Sequence, residues 1–316
     1  MNRRITIWIL LIAALALVLG SAVSIGSERL SLFELTEPQR AILYDIRAPR
    51  VLLAACVGAC LAVAGASLQA LLRNPLAEPY LLGVSNGAAL GTMLAFVFLE
   101  RFGFARPLMA FAGAGIATIV VYQMARSRAG MNVERLVLSG VIVTTFLSSI
   151  IVLLTSVLDA ARLRGFTFWL LGDLSQATYD GFYLTLAAAT VGTIVLSSQA
   201  RALNLMMIGE RDALDFGVEI GRVRLIVFGF ASVLVGTAVA ASGSVGYVGL
   251  IVPHLVRLAV GSDNRLVVPM SAVSGAIFVV LADMIARTAI APRELPVGAI
   301  TALVGAPVFI YLLRRN

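Results

Sequence analysis

Ser85 stands in a Gly-x-Ser-x-Gly frame, Gly83-Val-Ser-Asn-Gly87, and the chain has one histidine, His254. A serine raised on a tight turn and an imidazole to take its proton are the materials of acyl transfer, here by an intramembrane protease. Close packing is the plainer meaning, because such frames arise readily in glycine-rich helices and His254 sits in a distant Pro-His pair. Cys56 and Cys60 lie one helical turn apart in an apolar stretch. With no further cysteine or nearby histidine they make no metal site and read as small packing residues.

The charged residues are more telling. Arg47 and Arg50, three apart across Pro49, offer two guanidinium forks to carboxylates, or simply snorkel at an interface. Asp283 and Arg287, four apart, either neutralise each other on one helix face or leave Arg287 to meet an acidic partner. The densest charge lies at residues 203–221, Leu-Asn-Leu-Met-Met-Ile-Gly-Glu-Arg-Asp-Ala-Leu-Asp-Phe-Gly-Val-Glu-Ile-Gly. Drawn as a helix from Arg211 to Glu219, it gathers Asp212, Asp215 and Glu219 on one face and Ala213, Leu214, Gly217 and Val218 on the other. So short a helix is marginal alone and is expected to dock against something.

The elements that hold these residues are membrane spans. The chain has 316 residues, 60% hydrophobic and 13% charged, with a mean hydropathy of +0.97. Soluble domains carry about 25% charged residues, and several apolar runs here reach the ~20 residues that cross a ~30 Å core. All 24 basic residues are arginine. A nucleotide-binding P-loop needs a lysine on the phosphates, so the chain is not a P-loop ATPase by itself. The reading is an all-α polytopic protein, residues 1–316 forming one transmembrane domain with about ten spans. These fall near 5–25, 50–72, 81–99, 107–125, 136–158, 182–199, 223–241, 245–260, 267–287 and 296–313.

Met-Asn-Arg-Arg followed by Ile5–Gly20 has the form of a signal peptide, but before so many further spans it reads as a first, retained helix. With both termini cytoplasmic, arginines favour the inner side, among them Arg128, and residues 203–221 lie in the cytoplasm; the segment Glu28–Arg50 lies outside. Five spans on either side of residues 160–181 suggest two inverted halves of five. Arg73-Asn-Pro-Leu…Gly83-Val-Ser-Asn-Gly faintly echoes Asn264-Arg-Leu-Val-Val-Pro…Ala272-Val-Ser-Gly. Gly58, Ala62 and Ala66 recur at four-residue spacing and permit close helix approach. Pro75 and Pro79 break the run from Gln69 to Ala88, either as a tight turn or as a structured loop feeding a broken helix. Residues Gly246–Arg265 suit a short span emerging into a cytoplasmic turn.

In order and spacing these segments resemble the permeases of ATP-binding-cassette importers for vitamin B12, ferric siderophores and haem. The resemblance is carried by Arg47-Ala-Pro-Arg50, by Gln69 through Asn74-Pro-Leu-Ala-Glu-Pro79, and by Leu82-Gly-Val-Ser-Asn-Gly-Ala88. Trp169-Leu-Leu-Gly172, Leu203–Gly217 and Gly249-Leu-Ile-Val-Pro-His254 continue it. Ala282-Asp…Ala286-Arg287 and Glu294-Leu-Pro-Val-Gly…Gly305-Ala-Pro307 complete it. Where the family has Asp-His-Arg, this chain has Asp263-Asn264-Arg265.

The resemblance implies a homodimer in the inner (plasma) membrane, with the fifth and tenth spans lining a substrate path. It implies two ATPase subunits that bind ATP and Mg, this chain holding no cofactor, no metal and no catalytic residue, and a periplasmic or lipid-anchored substrate-binding protein. Gly209, Glu210, Arg211, Asp212, Asp215, Phe216 and Gly217 would couple to the ATPase. Arg47, Arg50 and Arg287 would dock the binding protein, and Asn132, Val133, Asn74 and Leu76 would form an inner gate. The cargo is expected to be an iron–siderophore or related chelate, with cobalamin and haem as alternatives. Nucleic acid is not an expected partner. A stand-alone secondary transporter is the other class; it needs ionisable groups in mid-span, and only Asp283, near a span end, answers to that.

Overall fold

In hydrocarbon every backbone N–H and C=O needs a partner within the protein, so long apolar runs fold as helices. The computed structural model describes residues 3–26, 36–99, 104–127 and 130–315. Glu28 and Arg128, which the sequence reading sets on opposite sides, lie outside the described residues. In chain order the helices are α1 (Arg3–Ser24), α2 (Glu37–Leu71), α3 (Val84–Phe98), α4 (Ala105–Ala125), α5 (Val133–Thr155), α6 (Ala160–Leu170) and α7 (Tyr179–Ser198). They continue as α8 (Ala200–Ile208), α9 (Glu210–Asp215), α10 (Ile220–Ser242), α11 (Val248–Val260), α12 (Asn264–Thr288) and α13 (Val297–Arg315). Seven are long and apolar enough to cross a membrane, and α3, α11 and α13 are shorter apolar helices. These ten follow the expected order, five before α6 and five after it. The one strand pair among the described residues is Arg126–Ser127 with Gly130–Met131, which closes the turn between α4 and α5.

The second span begins earlier than its apolar run suggests. Pro49 cannot donate to the carbonyl four residues back, and the helix relaxes into a π-helical turn over Ile42–Arg47 before resuming. The helix thus projects beyond the run that starts at residue 50. This α2 is the hub: 83% of its most apolar window is buried, against 11% for α1, so α2 packs among helices while α1 faces outward. The small residues permit that packing. A Cβ on Gly58 would collide with the Gly275 carbonyl of α12, and one on Gly65 with the Gly249 carbonyl of α11. Ala62 and Ala66 are fully buried on the same helix.

Between α10 and α11 the chain runs non-helically through residues 243–247. Irregular backbone among spans is stable only if protein supplies its hydrogen bonds, and here it does. The Tyr80 hydroxyl donates to the Val245 carbonyl (2.9 Å) and accepts from the Val245 N–H (3.0 Å), while Glu78 Oε1 accepts the Tyr247 N–H (3.0 Å). From the other side the Asp173 N–H reaches the Ser242 carbonyl at 2.8 Å. The Pro75/Pro79 segment is therefore a structured loop rather than a plain turn: a 3₁₀ turn over Pro79–Leu82 leads through Gly83, at φ +77°, into α3.

Candidate functional site

The charged insert folds as two short helices meeting at Gly209. In α8, Leu203 and Met206 are buried against the bundle, while Asn204 is held by the start of α12. Its amide donates to Asp263 Oδ1 (2.7 Å), and its carbonyl oxygen accepts the backbone N–H (2.9 Å) and side-chain amide (2.8 Å) of Asn264. Asn264 is fully buried. So the residue standing where the resembling family has histidine acts here as a splice between α8 and α12. Asp263 caps α12 by accepting the Arg265 N–H at 3.0 Å. Partial burial works to raise its pKa, but the Asn204 amide, the Arg265 N–H and the charges of Arg265 and Arg4 outweigh it, so the carboxyl lies below its ordinary value.

Helix α9 is shorter than a helix from Arg211 to Glu219. It stops at Asp215 because Gly217 takes φ +76° and closes a Schellman turn, Gly217 N–H to Leu214 O (2.8 Å) and Val218 N–H to Ala213 O (2.9 Å). Glu219 therefore leaves the shared face with Asp212 and Asp215 and pairs with Arg222 at 3.7 Å. Leu214 also departs from its expected inward face. Ala213 alone is fully buried, whereas Leu214 is 58% and Phe216 73% exposed, beside Ile208 at 75%. Arg211, Asp212 and Asp215 are exposed around them. An open groove of about 370 Å³ lies alongside, between the end of α7, α8 and the base of α10, lined by Gln199, Ala202, Val218, Arg222 and Ile226.

Glu210 does not join this exposed face. Its Oε1 accepts from Arg224 Nη2 of α10 at 2.6 Å and lies 3.4 Å from Arg73 Nη2 in the turn after α2. Arg224 Nη1 in turn donates to the Met131 carbonyl at 3.0 Å. The four gate candidates flank these contacts. Asn74 Oδ1 accepts the Leu76 N–H (2.9 Å) in the turn beyond Arg73, and Asn132 Oδ1 accepts the Arg135 N–H (3.0 Å) to cap α5, with Val133 its first residue. Residues far apart in sequence thus meet at one end of the bundle. Arg73 and Arg224, which tie them together, read from sequence only as basic residues near span ends.

The opposite end holds Arg47, Arg50 and Arg287, and all three heads turn inward. Arg50 Nε donates to Asp283 Oδ1 (2.9 Å) and its Nη1 to Glu294 Oε2 (2.7 Å). Arg287 Nε lies 2.9 Å from Asp283 Oδ2 as a charge pair, and its Nη2 donates to the Ala22 carbonyl (3.1 Å). Arg47 Nη1 donates to the carbonyls of Val23 (3.3 Å) and Ser24 (3.1 Å). All three arginines are buried, and Asp283 fully so. Of the two meanings open for Asp283 and Arg287, the structure takes the internal pair. Forks standing free at the surface are not what it shows, because a guanidinium between helices is stable only with carboxylates and carbonyls in reach. Glu294, the network's half-exposed member, carries no sequence signal of its own beyond the Glu294-Leu-Pro-Val-Gly motif.

Ser85 is buried, and its hydroxyl donates to Ser244 Oγ at 3.4 Å. His254 lies in α11, so the serine is presented to a hydroxyl rather than to an imidazole. The acyl-transfer reading ends there.

Ten apolar helices about a buried hub, irregular backbone shielded between them, and charge gathered at the two ends define a polytopic transport permease. The chain belongs to the FecCD transport family, whose model matches residues 7–315. It is 42% identical over 282 residues to the cobalamin import system permease protein BtuC of Halobacterium salinarum, covering 89% of this chain and 76% of that one. It is 37% identical over 323 residues to the hemin transport system permease protein HmuU of Yersinia pestis, covering 99% and 96%. A solved structure described as an inward-facing conformation of a candidate metal-chelate type ABC transporter superposes with a TM-score of 0.90 at 31% identity, over 98% of this chain and 99% of that one.

Proposed function

We propose that this chain is the membrane permease of an ATP-driven importer that carries a metal chelate inward across the inner membrane. The observation that carries the coupling half of this reading is that three large apolar side chains, Ile208, Leu214 and Phe216, stand exposed in the α8–α9 segment together with exposed Arg211, Asp212 and Asp215. Large apolar side chains gathered outside the spans mark a protein contact. A chain without a P-loop lysine needs such a partner for its energy. The partner is a separate ATPase subunit that binds ATP and Mg, the α8–α9 end is cytoplasmic, and two copies of the permease pair around the path.

The cargo is an iron–siderophore or a related chelate such as cobalamin or haem. This assignment rests on relatives named for cobalamin, hemin and iron(3+)-hydroxamate import. A binding protein would dock at the Arg47, Arg50 and Arg287 end. Arg50 is already paired, but its partner Glu294 is 39% exposed at the side chain, so an incoming carboxylate can compete for Arg50 there.

Changing Leu214 and Phe216 together to Asp tests the coupling face. Loss of two apolar anchors of that contact should weaken ATPase-subunit binding by about 2 kcal/mol or more, roughly thirtyfold. Because both side chains are exposed in the isolated chain, its thermal stability should hold. Unchanged assembly would remove the proposal.

A further inference from the structure

We infer that Glu210 is a positioning residue that ties α9 to both gate turns of its own chain, so that a displacement of α9 moves residues 72–78 and 131–133 together. This rests on the importer reading above and assigns Glu210 a direction that reading lacks, inward to the gate instead of outward to the ATPase.

One carboxylate serves both turns. It accepts from Arg224 at 2.6 Å and stands 3.4 Å from Arg73, and Arg224 carries the link on to the Met131 carbonyl at 3.0 Å. Arg73 adjoins Asn74, whose side chain folds the turn that presents Leu76. Met131 is buried and precedes Asn132, the cap of α5. Each gate turn is therefore one residue from a group bound, directly or through Arg224, to Glu210.

The lever is short and stiff. Six residues of helix span about 9 Å. Fully buried Ala213 fixes the middle of α9 and the Gly217 turn locks its far end, so exposed Leu214 and Phe216 sit on the same rigid piece as Glu210. The Arg224 link is also the one that solvent screens least. Its side chain is 13% exposed, and its Nε has no other partner among the described residues. Without Glu210 a nearly buried guanidinium would lose its counter-charge. The Arg73 link is half-exposed and is the weaker arm.

The experiment uses the permease assembled with its ATPase subunits in lipid nanodiscs. Leu76→Cys, in a background with Cys56 and Cys60 changed to Ala, is labelled with a membrane-impermeant maleimide with and without ATP plus vanadate. In the background protein ATP should change the labelling rate about tenfold. Arg224→Gln and Glu210→Gln should each shrink that change to within about twofold, and the double variant should lose no more than either alone, as expected of two ends of one link. Arg224 lies beneath α9, so Arg224→Gln should still retain the ATPase subunits, which separates this loss from failed assembly.

The inference is overturned if either single variant keeps the full ATP response, if the losses multiply in the double variant, or if Arg224→Gln no longer holds the ATPase. A background protein that assembles with its ATPase but shows no ATP response at Leu76→Cys would instead count against the importer reading on which the inference rests.

Discussion

Asp283 holds two guanidinium groups at once, each at 2.9 Å, with its own side chain shut away from solvent. Charges buried in this way gain little over well-packed apolar residues, but removing one partner strands the others. Asp283→Asn should therefore cost about 3–5 kcal/mol, read as a drop in the thermal unfolding midpoint in detergent; a midpoint unchanged from the native protein would mean Arg50 and Arg287 do not depend on it. Asp263 answers to pH. Its folded pKa is lowered, so it contributes stability that is fully present above the ordinary carboxylate value and is lost as pH falls through the lower, folded value. Unfolding midpoints measured downward from pH 5 should fall less steeply in Asp263→Asn than in the native chain. Equal slopes would contradict the assignment.

At the scale of the element, glycines decide whether helices can touch. Gly58 of α2 and Gly275 of α12 meet backbone to backbone, while Gly20 and Gly115 have open space where a Cβ would sit. Gly58→Leu should abolish a monodisperse folded peak in fluorescence-detected size exclusion, since even ordinary overpacking costs about 1–3 kcal/mol and here backbone is struck. Gly115→Ala should elute as the native chain does; similar behaviour of the two variants would refute the contact. This spacing was legible in the sequence because small-residue repeats have one common use in lipid.

The length of α9 was not legible. A projection drawn through Gly217 treats it as helical, and only the φ of +76° reveals that the chain turns there. That one residue ended the helix at Asp215 and took Glu219 away from the acidic face. The start of α2 was hidden for a similar reason. Polar residues at 37–47 look like loop, and the π-helical turn that carries the helix past Pro49 has no simple residue pattern.

For the whole molecule, hydropathy and positive charge place ten spans in order because burial in hydrocarbon leaves the chain few alternatives. Pairing between distant side chains is another matter. Arg50 meets Glu294 across 244 positions and Asn204 meets Asp263 across 59, and no local period encodes either partner. The sequence thus shows which residues are charged and near which span ends, while the fold decides whether each charge faces a neighbour or a partner. At one end it faces inward, in the Arg50–Asp283–Arg287–Glu294 network. At the other it divides, with Glu210 turned to Arg224 and Arg73 and Phe216 turned out.

Uptake into proteoliposomes is the decisive measurement for the proposed ATP-driven import. The permease, its ATPase subunits and its binding protein would be reconstituted and supplied in turn with a ferric hydroxamate, cobalamin and haemin. At least one of these chelates should accumulate in a way that requires ATP on the α8–α9 side, stops when the ATPase subunit is omitted, and persists when proton and sodium gradients are collapsed. Uptake by the permease alone, driven by an ion gradient and indifferent to ATP, would contradict it.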